Sequence, residues 1–183
     1  LGDGFGGFSG TTNVGVGSNP LSVALGDFNG DGKQDFAAAN YGSNTVSIRL
    51  GGSNEIDVQG NGVSIVDGDN TPAISDHTDF GNITSGMNLV RTYTVQNTGT
   101  VNLTLGAITI TGVHASLFTL GPLSPASPIA PGSSATFTVT FAPSSAGLKT
   151  ATIQIANDDC DEAVYDFAVQ GTGIQAPLIL GTY

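Results

Sequence analysis

Oxygen-bearing side chains alternate with other residues in one short stretch, residues 27–35, which reads DFNGDGKQD. They fall at positions 1, 3, 5 and 9 of this stretch, and a glycine that permits a sharp bend stands at position 6. Calcium takes about six to eight hard oxygen ligands from a tightly curled loop. The spacing predicts a Ca²⁺ site whose ligands are Asp27, Asn29, Asp31, the backbone carbonyl of Lys33, and Asp35. The alternative is an ordinary turn rich in Asp, Asn and Gly that binds no metal.

Two further clusters of carboxylates lie in turn-like segments. The first contains Asp67, Asp69, Asp76 and Asp79, and the second contains Asp158, Asp159, Asp161 and Glu162. Neither has the spacing of the first loop, so we interpret both as hydrated acidic turns. Because carboxylates crowded into short loops repel one another unless they are hydrated or bridged by a cation, a second calcium site is the alternative. Its candidate ligands are Asp67, Asp69, Asp76, Asp79, Asp158, Asp159 and Asp161.

Side chains suited to catalysis are few. His77 and His114 are the only histidines in the sequence, and neither is placed for nucleophilic chemistry. The single cysteine, Cys160, lies between two aspartates whose charge disfavours the reactive thiolate. The sequence contains no Gly-x-Ser-x-Gly elbow, no His-Glu-x-x-His and no phosphate-binding loop. We therefore expect a chain that is not an enzyme, and an accessory fragment of a secreted enzyme is the less favoured alternative.

The balance of charge excludes two classes of partner. The 183 residues include 15 Asp and Glu but 4 Lys and Arg, which gives a formal net charge of −11. So few cations cannot neutralise a row of phosphates, which excludes nucleic-acid binding, and an anionic membrane surface would repel the chain. The sequence has no apolar run long enough to span a bilayer, so we expect no direct membrane insertion.

The candidate metal-binding and catalytic residues must be positioned by strands, because no helical periodicity is sustained along the sequence. Apolar residues alternate with Thr, Gln or Asp in segments such as 135–141 and 165–170, as in strands with one buried face. Turn signals recur about every ten residues, a spacing typical of sandwiches and barrels. The pattern predicts an all-β fold with strands at 5–16, 22–28, 35–41, 45–50, 55–60, 62–66, 88–96, 102–111, 116–120, 134–141, 148–156 and 164–170.

The calcium loop lies within residues 19–52, which read NPLSVALGDFNGDGKQDFAAANYGSNTVSIRLGG. This segment resembles an FG-GAP (VCBS-type) repeat, the calcium-binding blade repeat of integrin-α-like β-propellers. The resemblance covers residues 1–52 and implies a four-stranded propeller-blade-like sheet that binds Ca²⁺ through the predicted ligands. Propellers contain about four to eight blades, and this chain has one. We therefore expect the sheet to pack on further modules of the parent protein, on the second domain or on other chains.

Four later segments share a second resemblance: EIDVQGNGVSIVDGDNTPAISDHTDFGNI, RTYTVQNTGTVNLTL, FTVTFAPSSAGLKTATIQIANDD and YDFAVQGTG. Together they resemble the choice-of-anchor D domain, a bacterial Ig-like sandwich related to Hydin-type domains. The match covers residues 55–173 and implies an Ig-like antiparallel β-sandwich without catalytic residues. We place this domain at 53–173 and an extended tail or linker at 174–183. The strand alternation predicts a core that contains Tyr93, Val95, Phe137, Val139, Phe141, Ile153, Ile155, Phe167 and Val169.

These features favour a calcium-stabilised structural or adhesive module of a secreted or surface-anchored bacterial protein. The lone blade and the apolar tail suggest a filament subunit assembled by strand addition, with other copies of itself or other modules of the parent protein as partners. The alternative is an extracellular module that binds a surface glycan or protein. It ranks second because the sequence has no Trp, and most of its aromatics are Phe residues that alternate into cores.

Overall fold

The computed structural model describes residues 15–30, 33–52, 54–159 and 162–175. These residues are dominated by strands, and the helix among them is limited to two single 3-10 turns, Tyr41–Ser43 and Ala115–Leu117. The predicted all-β fold class is confirmed. In this described part of the chain, no helix has the length and apolar character needed to cross a membrane. The chain divides into two compact units, Leu1–Gly51 and Gly52–Tyr183, which we call the first unit and the second unit.

The first unit contains an antiparallel sheet of three described strands. They are β1 (Pro20–Gly26), β2 (Asp35–Asn40) and β3 (Thr45–Arg49), with β2 in the centre. Their bounds lie within two residues of the predicted ones. The strand predicted at 5–16 falls almost entirely outside the described residues, so three strands of the predicted four-stranded sheet can be compared.

The second unit is a sandwich of two sheets. The first sheet consists of β4 (Ile56–Gly60), β5 (Val63–Ile65), β7 (Leu89–Asn97), β9 (Phe118–Leu120) and β10 (Ser134–Phe141). The second sheet consists of β6 (Asp79–Thr84), β8 (Leu105–Thr111), β11 (Gly147–Asn157) and β12 (Val164–Ile174). The strands lie side by side in the orders β5-β4-β7-β10-β9 and β6-β12-β11-β8.

Strand β6 is the one described strand that the sequence patterns did not predict. Its sequence, DFGNIT, contains Gly and Asn, which are depleted in strands. Gly81 takes a positive φ of 70°, and its N–H donates to the Asp79 carboxylate at 2.7 Å. β6 pairs with β12 in parallel, so the predicted antiparallel sandwich contains one parallel pair.

Strand β12 extends to Ile174, four residues beyond its predicted end. The extension contains Gly171 and Gly173, residues that normally weaken a strand interior. A Cβ atom at Gly171 would lie 2.4 Å from Cε1 of Phe141, and one at Gly173 would lie 2.1 Å from the carbonyl oxygen of Ser145. The glycines are therefore required by close packing.

The core lies between the two sheets of the second unit. All nine predicted core residues are at most 1% exposed, so this prediction is confirmed. The Tyr93 ring on β7 packs on Phe137 of the same sheet at 5.4 Å and on Phe167 of the opposite sheet at 5.5 Å between ring centroids. Such aromatic pairs stabilise a core beyond their buried area, and here they join the two sheets.

Candidate metal centre

The predicted calcium loop connects β1 to β2. The two strands close around it, with Gly26 paired to Asp35 at its base. The Asp27 carboxylate accepts the backbone N–H of Gly30 at 2.6 Å, which curls the start of the loop, and Gly30 takes a positive φ of 81°. Asp27 and Asn29 are exposed to solvent. The described start of the loop is therefore a tight turn in which the Asp27 and Asn29 side chains are exposed.

The closing carboxylate of the loop, Asp35, is 1% exposed. Its Oδ2 atom accepts the backbone N–H of Phe28 at 2.8 Å, and its Oδ1 atom accepts the backbone N–H of Gly51 at 2.6 Å. A carboxylate has about four lone-pair positions, so two backbone bonds leave further acceptor capacity. Asp35 ties the loop to the end of the first unit whether or not it also binds a metal.

The donor set of this loop fits a hard divalent cation. The described side chains Asp27, Asn29 and Asp35 offer carboxylate and amide oxygen atoms, which are the ligands that calcium prefers. Lys33, predicted to contribute its carbonyl, is half-buried. The fifth predicted ligand, Asp31, and the bend residue Gly32 lie outside the described residues, and calcium binding at this loop stays a prediction.

The carboxylates of the first acidic cluster cap turns. Asp69 Oδ1 accepts the N–H and the hydroxyl of Thr71, and Asp76 Oδ1 does the same with Thr78. The remaining two aspartates, Asp67 and Asp79, are held by other donors. Asp67 accepts the Asp166 N–H at 2.7 Å, and Asp79 accepts the side-chain amide of Gln170 at 2.8 Å. Among the described residues, no three of these four carboxylates lie close enough together to hold one metal ion.

Asp158, from the second acidic cluster, joins distant segments of the second unit. Its Oδ1 atom accepts the Thr104 N–H at 2.8 Å and also the side-chain amide of Asn54. Burial opposes ionisation of Asp158, but these hydrogen bonds outweigh it, so the pKa of Asp158 lies below its ordinary value. The carboxylate therefore acts as a cross-link between the chain before β4 and the start of β8.

One group of three carboxylates does converge in the described residues. Ligand oxygens of Glu55, Asp159 and Glu162 all lie within 4.8 Å of one another. Asp159 is 2% exposed, and its Oδ2 atom accepts the Ile56 N–H at 3.0 Å. Carboxylates at such distances repel unless a proton, water or a cation lies among them. Asp161, the neighbouring candidate, lies outside the described residues.

Sequence reasoning missed Glu55 as a member of this group. It is the sole carboxylate between the calcium loop and Asp57, so it belongs to no acidic run. The fold brings it beside Asp159 because β4 begins next to the end of β11, where Asp159 binds the Ile56 N–H. Only the pairing of segments about one hundred residues apart reveals this proximity.

The two histidines lie in different surroundings. His114 Nδ1 accepts the backbone N–H of Thr150 at 3.2 Å. His77 is half-buried with a positive φ of 66°, and burial together with the Arg91 charge lowers its pKa, against the opposing effect of Asp76. Cys160 lies outside the described residues. The expectation that the chain is not an enzyme stays a prediction.

Two family models match the sequence. The model described as "Protein of unknown function (DUF1573)" matches residues 73–172, and the FG-GAP repeat model matches residues 19–63. The FG-GAP prediction is therefore confirmed, whereas the finer VCBS-type and choice-of-anchor D or Hydin-type assignments stay predictions. No curated protein matches the chain significantly.

Several solved structures resemble the fold at low sequence identity. The secreted serine protease VesC from Vibrio cholerae is 16% identical over 55% of this chain and 22% of its own, with a TM-score of 0.45. A protein of unknown function from Porphyromonas gingivalis W83 is 14% identical over 84% of this chain and 66% of its own, with a TM-score of 0.47. The PapD-like domain 7 of human CEP192 is 15% identical over 68% of this chain and 89% of its own, with a TM-score of 0.42. The chain thus spans about a fifth of the length of VesC.

Proposed function

The chain belongs to the DUF1573 family, and we propose from its FG-GAP repeat that it is a structural or adhesive module of a secreted or surface-anchored protein. FG-GAP repeats are typical of extracellular or surface proteins. In this proposal the module has no catalytic role, and Ca²⁺ at the β1–β2 loop stabilises the first unit. Its partners are other copies of the chain or other modules of the parent protein.

The observation that carries this proposal is the apolar character of both faces of the sheet in the first unit. Directly paired residues of an antiparallel sheet share a face. Val23 and Leu25 lie on one face, and Val46 and Ile48 lie on the other. These four side chains are between 50% and 68% exposed. An antiparallel sheet commonly has one packed apolar face and one polar face in contact with solvent, so a sheet that exposes apolar side chains on both faces is suited to packing between two neighbours.

Small residues on the central strand support packing against flat surfaces. On the face with Val46 and Ile48, β2 contributes Ala37 and Ala39, and β1 contributes Ala24. Alanines allow another sheet to approach closely, and the flanking Val and Ile then supply apolar area. Exposed apolar surface of this kind marks interaction sites, so this face is the proposed assembly surface.

Assembly can be tested by sedimentation and negative-stain microscopy of the full chain in calcium and in EDTA. We expect association or filaments in calcium and dissociation in EDTA. Val46→Asp places a charge on the assembly surface and is expected to give a monomer. Val113→Asp is the matched control because Val113 is 91% exposed on a loop of the second unit. A monomer in both buffers, or equal behaviour of both variants, would contradict the assembly proposal.

Calcium binding is tested separately by thermal denaturation and calorimetric titration. We expect Ca²⁺ to raise the melting temperature of the first unit, because a ligand that binds the folded state alone stabilises it. Asp27→Ala removes an exposed ligand of the loop and is expected to abolish this increase. Asp57→Asn removes one carboxylate from the second unit and serves as the control. An unchanged melting temperature of the wild type on chelation would refute the calcium proposal.

A second candidate function, ligand binding, is favoured by one observation. The side chain of Tyr41 is 74% exposed beside a shallow cleft of the first unit. Exposed Tyr rings can stack on sugars, and nearby amides and hydroxyls supply hydrogen bonds. The cleft is also lined by Leu21, Ser22, Ala39, Asn40, Asn44, Thr45 and Val46. A glycan array probed with the wild type and Tyr41→Ala tests it: binding by the wild type that Tyr41→Ala loses would support this function.

A further inference from the structure

Strand β8 forms an open edge of the second unit. It lies at the end of its sheet and pairs with β11 on one side. The segment just before it is covered, because Leu103 exchanges two backbone hydrogen bonds with Ile129. From residue 106 to residue 111, no strand of the described chain pairs with the other side of β8. The N–H and C=O groups that point to that side are therefore available to a further strand.

This edge has none of the features that usually prevent strand addition. Natural edges are protected by charged side chains, proline, bulges or short length. Residues 106–111 read GAITIT and contain no charge and no proline. The irregularity in the pairing with β11 lies at the start of β8, between Ile155 and Asn157, and the register from Ile108 to Thr111 is continuous. Such an edge is suited to binding an extended segment by strand addition.

The other edges formed by described strands are less open. In the second unit, β5 and β9 contain three residues each. β6 carries Asp79, and the positive φ of Gly81 interrupts its extended backbone. In the first unit, β1 carries Pro20 and β3 carries Arg49. Strand addition therefore meets the fewest obstacles at β8.

The burial pattern of β8 defines what a further strand would cover. Ile108 and Ile110 are half-buried and pack against the hydrophobic core of the sandwich. Ala107, Thr109 and Thr111 alternate with them and are exposed. A strand added at this edge would complete the burial of the two isoleucines and extend the exposed outer face. The incoming strand therefore needs the same alternation of apolar and hydroxyl side chains.

Strand β8 itself has the required alternation. Directly opposite residues share a face of a sheet, so an antiparallel pair of β8 strands centred on Thr109 places Ile108 of one copy opposite Ile110 of the other. Ala107 lies opposite Thr111 on the outer face, and the two Thr109 side chains lie opposite each other. This arrangement has the two-fold symmetry of an isologous dimer contact. It places no charges opposite each other, although each copy has a net charge of −11.

We propose that the β8 edges of two copies pair antiparallel around Thr109 and join two four-stranded sheets into one continuous sheet of eight strands. The contact involves none of the candidate metal ligands, and it does not depend on the assembly surface of the first unit. A pairing of six residues is a small interface and is weak by itself. It strengthens an assembly whose copies are already held close together by another contact.

The pairing is tested by sedimentation of the full chain over a range of protein concentrations in EDTA. All proteins carry Val46→Asp, which removes the assembly surface of the first unit from the measurement. We expect a reversible equilibrium of monomer and dimer, and slower amide hydrogen exchange in β8 peptides at high protein concentration. A chain that stays monomeric up to millimolar concentration would overturn the proposal, whether or not calcium causes the wild type to assemble.

Charge substitutions at the centre of the pairing assign the surface. Thr109→Lys and Thr109→Glu each place like charges opposite each other, and each is expected to weaken dimerisation about tenfold or more. An equimolar mixture of the two variants brings opposite charges together and is expected to restore dimerisation. Thr92→Lys is the matched control, because Thr92 is an exposed threonine on β7, an inner strand of the other sheet.

The same variants separate the β8 pairing from other modes of association. A dimer that Thr109→Lys leaves unchanged, or that Thr92→Lys weakens equally, would overturn the proposal. A mixture that does not restore dimerisation would overturn the two-fold pairing around Thr109. If Thr109→Lys does not fold, Thr111→Lys takes its place, since Thr111 lies opposite Ala107 in the pairing. Unweakened dimerisation of that variant would also overturn the proposal.

Discussion

Replacement of Asp35 by alanine is expected to open the sheet of the first unit in the absence of any metal. Both oxygens of the buried Asp35 carboxylate accept partly buried backbone N–H groups, one from Phe28 and one from Gly51. Alanine cannot replace either acceptor, so both donors lose their partners. Asp27→Ala is the matched control, because Asp27 belongs to the same loop and accepts the Gly30 N–H but is exposed to solvent.

The expected loss follows from the two bonds. A hydrogen bond to a charged group contributes about 1.5–3 kcal/mol, so Asp35→Ala is expected to cost about 3–6 kcal/mol. A whole domain has a free energy of unfolding of about 5–15 kcal/mol, and that of a small sheet is lower. The contacts of Asp27 are exposed to solvent, so the control variant is expected to cost less, about 1 kcal/mol or below.

Hydrogen exchange followed by mass spectrometry distinguishes the two units in the full chain. In EDTA we expect peptides from β1, β2 and β3 to lose their protection in Asp35→Ala, while peptides from the second unit stay protected. In the wild type, Ca²⁺ at one hundred times its Kd should add about 2.7 kcal/mol of protection to the first unit. If Asp35→Ala exchanges like the wild type in EDTA, the carboxylate is not the anchor that these bonds indicate, and its role would be confined to the metal.

Three further outcomes follow from the second unit. Phe167→Ala removes a fully buried ring that contacts Tyr93 across the sandwich and is expected to cost about 3–5 kcal/mol in urea denaturation. Gly171→Ala places a Cβ atom 2.4 Å from the Phe141 ring and is expected to cost about 1–3 kcal/mol by the same assay. The lowered pKa of Asp158 means that its contribution is present above its unfolded pKa, near 4, and is lost as pH falls through the lower folded pKa. Asp158→Asn is therefore expected to flatten the dependence of stability on pH in this acidic range, and an unchanged dependence would contradict the cross-link.

The core was predictable from the sequence because strict alternation leaves one interpretation. In β10 and β11, hydroxyl and amide side chains separate the apolar residues, so the buried face follows directly. The unpredicted strand β6 has no such pattern. It is specified by long-range pairing with β12, which overrides the weak strand preference of Gly and Asn.

The acidic clusters show which carboxylate contacts can be predicted from the sequence and which cannot. Asp69, Asp76 and Asp79 each accept an N–H from the residue two positions later, which is Thr or Gly. This spacing is a known turn signature, so their capping role could have been inferred from the sequence. The group formed by Glu55 with Asp159 could not, because it depends on how β4 meets β11.

The position of β12 has a mechanical consequence. β12 is an inner strand, paired with β11 along ten residue pairs from Gly147–Gly173 to Ala156–Val164 and with β6 on its other side. A pulling force transmitted through residue 175 would act on a strand held by two ladders rather than one. Extraction would have to rupture both before the core opens, and resistance to such loads depends on the rate of unfolding rather than on equilibrium stability. A force applied at residue 175 is thus expected to meet more resistance than it would on an edge strand held by one ladder.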